Sequence, residues 1–155
     1  MASTSTNKQP LLVDRILHYV VNLDTSVNDG IDIVGTNTAV LLVDSTSADG
    51  AIIEDIYSIA RGTTAADINL YISTSNDYLR PGESAFIGTF KSGTTIGAVT
   101  NWENMPRTLA PVPQVGDVKY NNALYIPKGR ALWGARNSNV NLSDGPLLGC
   151  QGGWY

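Results

Sequence analysis

Residues 123–135 have the sequence Ala-Leu-Tyr-Ile-Pro-Lys-Gly-Arg-Ala-Leu-Trp-Gly-Ala, in which two short apolar runs flank Pro-Lys-Gly-Arg. Proline fixes the backbone angle that the first corner of a tight turn requires, and Gly129 supplies the positive φ that the turn needs two residues later. Side chains alternate along each run, so Leu124 and Ile126 share one face of a strand. The stretch therefore predicts a β-hairpin. A hairpin this apolar is not stable alone in water, so we expect it to close over a second sheet.

The rest of the chain adds further short strands, separated by turns. Strand-forming residues are concentrated in 10–23, 31–34, 39–44, 51–62, 67–73, 84–90 and 146–151, and the first of these segments fits one strand or two that split near Asp14-Arg15. Segment 67–73 alternates most clearly and predicts a half-buried strand, whereas 39–44 hardly alternates, which indicates burial on both faces. About nine strands with frequent turns predict one all-β domain, a sandwich or barrel, over residues 10–155. Residues 1–9 form a polar Ser/Thr arm that we expect to be flexible when free and ordered by a neighbour.

Two segments depart from this simple pattern. Segment 51–62 fits both a helix and a strand. The apolar residues that fit a helical stripe are Ile52, Ile53, Ile56, Tyr57 and Ala60. As a strand, the segment puts Ile53, Tyr57 and Ile59 on one face, and its many β-branched residues favour this alternative. Residues 91–122 are mostly irregular, and so long an irregular segment in a compact domain indicates a function or a covering partner.

Charge and cysteine content narrow the classes of function. Only 15% of the 155 residues are charged and the net charge is −4. A negative net charge disfavours a general nucleic-acid binder, and a charge-poor surface is poorly protected against association, so we expect an assembly to cover part of it. Cys150 is the one cysteine and excludes an intrachain disulfide. The first residues carry no apolar signal segment and no apolar run reaches membrane-spanning length, so we expect folding in the cytoplasm and no membrane partner.

The sequence offers little that could catalyse a reaction or hold a metal. His18 is the only histidine and lies in an apolar run, so we interpret it as a packed or strand-surface residue. Cys150, between Gly149 and Gln151, fits a small core residue. One histidine and one cysteine cannot form a usual zinc site, and no phosphate-binding glycine loop is present. We therefore expect no catalytic residue, no cofactor and no metal, and hence no enzyme.

Aromatic residues in irregular segments are the candidate contacts with a partner. Trp102 lies in Thr-Asn-Trp-Glu-Asn-Met-Pro, and Trp154 and Tyr155 follow two glycines. Exposed aromatic rings could stack on sugars or anchor a partner protein, although each tryptophan could instead fold back and plug an end of the sandwich. With Lys8 of the N-terminal arm, these residues are the predicted interface.

Three stretches, in this order and spacing, resemble small structural proteins of tailed bacteriophages, particularly cyanophages. They are Gly35-Thr-Asn-Thr-Ala-Val-Leu-Leu-Val-Asp, residues 48–64 leading to Ile68-Asn-Leu-Tyr-Ile, and Leu124-Tyr-Ile-Pro-Lys-Gly-Arg-Ala-Leu-Trp. The resemblance covers about residues 10–150 and consists of strand and turn patterns. It implies a jelly-roll-like antiparallel β-sandwich, a strand at Ala51–Arg61, and a protein that decorates or cements a capsid as a dimer or trimer.

The leading hypothesis is thus a capsid cement or decoration protein that stabilises contacts between subunits of the major capsid protein. It would be made in the host cytoplasm and end on the capsid exterior of the virion, without binding nucleic acid. One alternative is another position in the virion, as a head–tail connector, tail or head-fibre subunit. Another is a carbohydrate-binding module for host attachment that uses Trp102, Trp154 and nearby Asn side chains.

Overall fold

The computed structural model describes residues 15–24, 26–27, 39–80, 82–103, 105–106, 123–138 and 140–154. Four parts of the sequence prediction lie outside these residues, namely the arm at 1–9, the start of the first strand segment at 10–14, the strand at 31–34 and residues 107–122 of the irregular segment.

The described residues form nine β-strands and one 3-10 turn, at Leu142–Asp144. The strands are β1 (Arg15–Asn22), β2 (Val40–Asp44), β3 (Gly50–Ile59), β4 (Asp67–Ser73), β5 (Ser84–Lys91), β6 (Val99–Asn101), β7 (Leu124–Pro127), β8 (Ala131–Arg136) and β9 (Leu147–Trp154). A search of these same residues finds no helix with the length and apolar character needed to cross a membrane.

The strands form two antiparallel sheets. Sheet A has the order β1-β9-β3-β6, and β7 pairs with the half of β3 that β6 leaves open. Sheet B has the order β2-β8-β4-β5. The first strand pairs with the last, and the chain crosses repeatedly from one sheet to the other, which is the strand order of a jelly roll. The prediction of a jelly-roll-like antiparallel β-sandwich is therefore confirmed.

The core lies between the two sheets. Its fully buried members include Ile53, Ile56, Leu148 and Cys150 from sheet A and Val43, Ile68, Leu70 and Leu132 from sheet B. Gly134 of β8 faces the same space, where an added Cβ would overlap Cδ2 of Leu148. The missing side chain on sheet B thus makes room for a leucine of sheet A, and this fit is one way in which the two sheets set their distance.

The turn between β7 and β8 is present, but the prediction of a hairpin is wrong. The Arg130 N–H donates to the Pro127 carbonyl at 3.2 Å, and Gly129 has the expected positive φ of 78°. The two arms then separate, because β7 pairs with β3 in sheet A while β8 lies between β2 and β4 in sheet B. The turn bonds to Ser45 instead, which donates to the Arg130 carbonyl and accepts from the Gly129 N–H. The stretch therefore forms a corner that joins the two sheets.

Segment 51–62 is a strand, as its β-branched residues indicated. The register between β3 and β9 shifts between Ile53 and Asp55, so Glu54 is an extra residue in a β-bulge. The bulge reverses the alternation. Ile53 and Ile56 both face the core, whereas Tyr57 and Ile59 face outwards, which corrects the prediction that Ile53 shares a face with Tyr57.

Strand β4 is buried on both faces, not on one as predicted. Ile68 and Leu70 enter the core between the sheets, as the alternation indicated. On the other face, Tyr71 belongs to a second cluster with Trp133 and Leu79. Leu79 comes from the loop between β4 and β5, and this loop also accepts the indole N–H of Trp133 at the Ser75 carbonyl, 3.0 Å away. A loop therefore covers the outer face of sheet B.

Candidate interaction surface

The outer face of sheet A is exposed, in contrast to that of sheet B. Residues paired directly across neighbouring antiparallel strands point to the same face, so the register assigns each side chain to one side. The outward-facing residues include Ile16, His18, Val20 and Asn22 of β1, Leu147, Gly149, Gln151 and Gly153 of β9, Ile52, Asp55, Tyr57 and Ile59 of β3, and Val99 and Asn101 of β6. We call this set the outer A face.

Tyr57 lies at the centre of the outer A face. Its ring crosses Gly149, where an added Cβ would lie 2.6 Å from Tyr57 Cε2. Its hydroxyl forms a hydrogen bond of 2.8 Å with Nε2 of His18. Burial raises the pKa of the Tyr57 hydroxyl, and Cys150 and Asp55 raise it further, so the group is protonated at neutral pH. The ring thus reaches from β3 across β9 to β1 and holds three strands in fixed register.

A second polar pair connects β3 with β6. The Asn101 amide donates to the Asp55 carboxylate at 2.7 Å. Burial raises the pKa of the Asp55 carboxyl, because a partly desolvated carboxylate is less stable than in water. Asp55 is the only charged residue of this set, and Glu54 next to it in the β-bulge is exposed.

Apolar side chains lie at both edges of the outer A face. Ile16 is 89% exposed and Val20 is 40% exposed on β1, and Val99 is 58% exposed on β6. Aromatic and aliphatic groups with few charges are typical of the centre of protein–protein interfaces. Exposed aliphatic side chains on a face with few charges are candidates for contact with a partner. The outer A face is therefore the candidate interaction surface of the chain.

Trp102, one of the predicted interface residues, lies inside the molecule. It directly follows β6, is buried, and stacks on Phe90 with ring centroids 5.8 Å apart. Its ring crosses Gly88, where an added Cβ would lie 2.6 Å from Trp102 Cζ2. Trp102 therefore closes an edge of the sandwich. The small part of its side chain that remains exposed lines a groove between β5 and β6.

The other predicted interface residues are near the two ends of the sequence. Trp154 belongs to β9, not to an irregular tail as predicted, because β9 continues past Gln151 and pairs with Arg15 and Ala51. Its side chain is partly buried and packs against the core. Tyr155 and Lys8 lie outside the described residues, so their contact with a partner stays a prediction.

The two residues considered for catalysis, His18 and Cys150, differ in their exposure to solvent. His18 lies on the exposed strand surface, which is one of the two positions predicted for it. Cys150 is a fully buried core residue, as predicted, and burial raises the pKa of its thiol to about 12. Among the described residues, no three His, Cys, Asp or Glu side chains come together in a way that could hold a metal ion.

Arg136 is an important residue that the sequence did not reveal. Its side chain is 1% exposed at the end of β8. It donates to four backbone carbonyls, those of Leu23, Asp24, Asn137 and Val140, at 2.8–3.1 Å. An arginine directly after five apolar strand residues was the only sequence feature that indicated such a site. Arg136 connects the loops at one end of the sandwich and is structural.

The jelly roll is shared by viral capsid proteins and by sugar-binding lectins, so the fold alone does not give the function. The chain matches no protein-family model, and no curated protein or solved structure shows significant similarity to it.

Proposed function

We propose that the chain is a capsid cement or decoration protein of a tailed bacteriophage. In this proposal it lies on the exterior of the virion and stabilises contacts between subunits of the major capsid protein. The outer A face is the observation that carries the proposal, because it is apolar at both edges and carries few charges. The resemblance of residues 35–44, 48–72 and 124–133 to phage structural proteins supports the same function.

The stabilisation of a shell would come from many weak contacts. Burial of apolar surface contributes about 25 cal/mol per Å², and a specific contact buries roughly 800 Å² on each partner. Only part of this gain remains after the cost of association. A single copy would thus stabilise a seam between subunits modestly, but the same contact repeated around a closed shell would stabilise the whole shell.

The cross-strand bonds of the outer A face favour such docking. The bonds of Tyr57 with His18 and of Asp55 with Asn101 connect β3 to β1 and β6, and the Tyr57 ring crosses β9 at Gly149. Because these bonds restrict the side chains before a partner arrives, less conformational entropy is lost when the face is covered.

Binding to shells from which the protein has been removed tests the proposal. Val99→Lys puts a charge on the outer A face at an exposed position, and we expect it to weaken co-sedimentation with the shells at least tenfold. Tyr78→Lys is the matched control, since Tyr78 is also exposed but lies in the loop that covers sheet B. Wild-type protein that fails to bind the shells, or equal binding by both variants, would contradict the proposal.

The number of copies per particle separates the shell from the other positions in the virion. A decoration protein is present in numbers on the order of hundreds, whereas a connector, tail or head-fibre subunit follows the low symmetry of the tail axis. Quantitative mass spectrometry of purified particles measures this number. The carbohydrate-binding alternative gains no support from Trp102, because the ring that would stack on a sugar is covered by Phe90.

A further inference from the structure

We infer that two copies of this chain pair antiparallel along the open side of β1, so that their A sheets join into one. β1 pairs with β9 on one side, and no strand in the described part of the chain pairs with its other side. The open side of an edge strand presents unpaired N–H and C=O groups, which a second strand can satisfy.

β1 has few of the features that usually protect the edge of a sheet, since its one charged residue is Arg15 at its start. Monomeric proteins protect their edge strands with short length, bulges, charged residues or proline. β2 and β5 each show a register shift, β6 has three residues, and β7 ends at Pro127. β1 instead has eight residues in continuous register with β9, and from Ile16 to Asn22 it contains no Asp, Glu, Lys, Arg or Pro.

Side chains on both faces of β1 are exposed. Ile16 and Val20 are on the outer A face, while Tyr19 is half exposed on the opposite face. The exposed groups therefore surround the open backbone from both sides. A strand from another molecule could cover all three while it completes the ladder.

A second copy fits this edge better than a parallel or unrelated strand. A two-fold axis perpendicular to the sheet puts the outer A faces of both copies on the same side of the joined sheet. Each residue of β1 must therefore pair with a residue of the other copy that points to the same side. With His18 opposite His18, Ile16 of each copy lies opposite Val20 of the other, and Tyr19 lies opposite Leu17. Arg15 then lies at the two far ends of the pair, whereas a parallel pair would put like charges side by side. Closed two-fold dimers are the commonest oligomers.

The dimer would also affect docking. The perpendicular axis directs both outer A faces to the same side, which would give a bivalent surface with higher overall affinity than one copy. This consequence rests on the proposed function, whereas the dimer itself does not.

Sedimentation equilibrium of the full chain, without any capsid, tests the inference. We expect a particle of twice the 16.5 kDa chain mass. The double variant Ile16→Lys/Val20→Lys should raise the dimer dissociation constant at least a hundredfold, with unchanged far-ultraviolet circular dichroism. Ile96→Lys is the control and should remain dimeric, since Ile96 is also apolar and exposed but precedes β6 at the opposite edge of sheet A. A monomer or trimer in the wild type, or a dimer that survives the double variant, would overturn the inference.

Cross-linking tests the register. In Ile16→Cys/Val20→Cys, the thiol at residue 16 of each copy lies opposite the thiol at residue 20 of the other copy. A short bifunctional thiol reagent should therefore link the two chains. In Ile16→Cys alone, the two thiols are four residues apart, roughly 13 Å, and the same reagent should leave them unlinked. Cys150 is fully buried and does not interfere. Efficient linking of the single variant, or none of the double variant, would overturn the antiparallel pairing. Because no capsid is present in either assay, these results are independent of the shell-binding test.

Discussion

The Tyr57 hydroxyl lies 2.8 Å from Nε2 of His18, although the two residues are on strands separated by β9. The tyrosine ring can span this distance because residue 149 between them is glycine. Aromatic side chains that cross a glycine on a neighbouring strand stabilise sheets in this way. The outer A face thus depends on a contact between three strands that are distant in sequence.

This contact predicts a coupling between residues 149 and 57. Gly149→Ala should displace the Tyr57 ring towards solvent and cost about 1 kcal/mol, mostly through the lost hydrogen bond and ring contact. In a Tyr57→Ala background the same substitution should cost much less, because no ring remains to be displaced. Urea unfolding of the four proteins in this cycle measures the coupling. Costs that simply add would show that the ring does not depend on Gly149.

Gly134 should be less tolerant than Gly149. An added Cβ at Gly134 would overlap Leu148, which is fully buried and has no solvent to move into. We expect Gly134→Ala to cost about 1–3 kcal/mol, the range for overpacked cores. Combined with Leu148→Ala, the substitution should cost less than it does alone, since the smaller side chain leaves the space that the new methyl group fills. Thermal unfolding measures both values, and an unchanged melting temperature for Gly134→Ala would contradict this view of the core.

Arg136 should be essential for stability although it is not part of the outer A face. Arg136→Met leaves the carbonyls of Asp24, Asn137 and Val140 without the donor that Arg136 supplies, so we expect a loss of about 3 kcal/mol. Arg136→Lys keeps the charge and up to three donors, and should lose less. Urea unfolding compares the two variants. Equal losses would mean that the charge and hydrogen bonds contribute nothing beyond the volume of the side chain.

Asp55 and Asp44 should respond to pH in opposite directions. Burial raises the pKa of Asp55 above the ordinary 3.8, so the folded state binds this proton more tightly than the unfolded state. Stability from Asp55 is therefore lost as the pH rises from 3.8 through the folded-state pKa. Asp55→Asn removes this loss, and its stability relative to the wild type should be higher at neutral pH than below 3.8.

Asp44 is the matched case with the opposite sign. Burial tends to raise the pKa of Asp44, but hydrogen bonds from Asn76 and Thr46 outweigh it and lower the pKa below 3.8. Its stabilising contribution is present above 3.8 and is lost as the pH falls through the folded-state pKa. Asp44→Asn should thus be least stable relative to the wild type at neutral pH. Urea unfolding at several pH values checks both variants, and parallel pH profiles would contradict the assigned environments.

Local patterns in the sequence predicted every described strand except the three-residue β6, because alternation and β-branched residues act over a few positions. Gly129 also had the conformation that its turn chemistry predicted. The sheet to which each strand belongs depends on partners far away in sequence. For this reason the two arms of the turn at 127–130 were assigned to one hairpin, when β8 is a central strand of sheet B.

Bulges and glycines caused the other errors. The bulge at Glu54 makes apolar residues face the core at irregular spacing, and this spacing imitates a helical stripe. Gly152 and Gly153 were interpreted as the end of the last strand. In the structure, Gly152 lies against the backbone of Ile52, so glycine is present because the two strands approach closely there, and β9 continues.

The outer A face could not be predicted as a unit, because it combines residues from four strands that the fold brings together. The prediction concentrated on aromatic residues in irregular segments, such as Trp102. Trp102 is apolar enough to be drawn into the core, where Phe90 and Gly88 accommodate its ring. The exposure of aliphatic residues such as Ile16 could not be predicted, since the sequence of a strand does not show whether another part of the protein covers its face.

The central claim is that the chain stabilises a capsid by covering contacts between its subunits. Calorimetry of purified particles tests this claim most directly, before and after the protein is removed and again after wild-type protein is added back. We predict that stripped particles open at a lower temperature and that the added protein restores the original transition. Stripped and intact particles that open at the same temperature would contradict the claim.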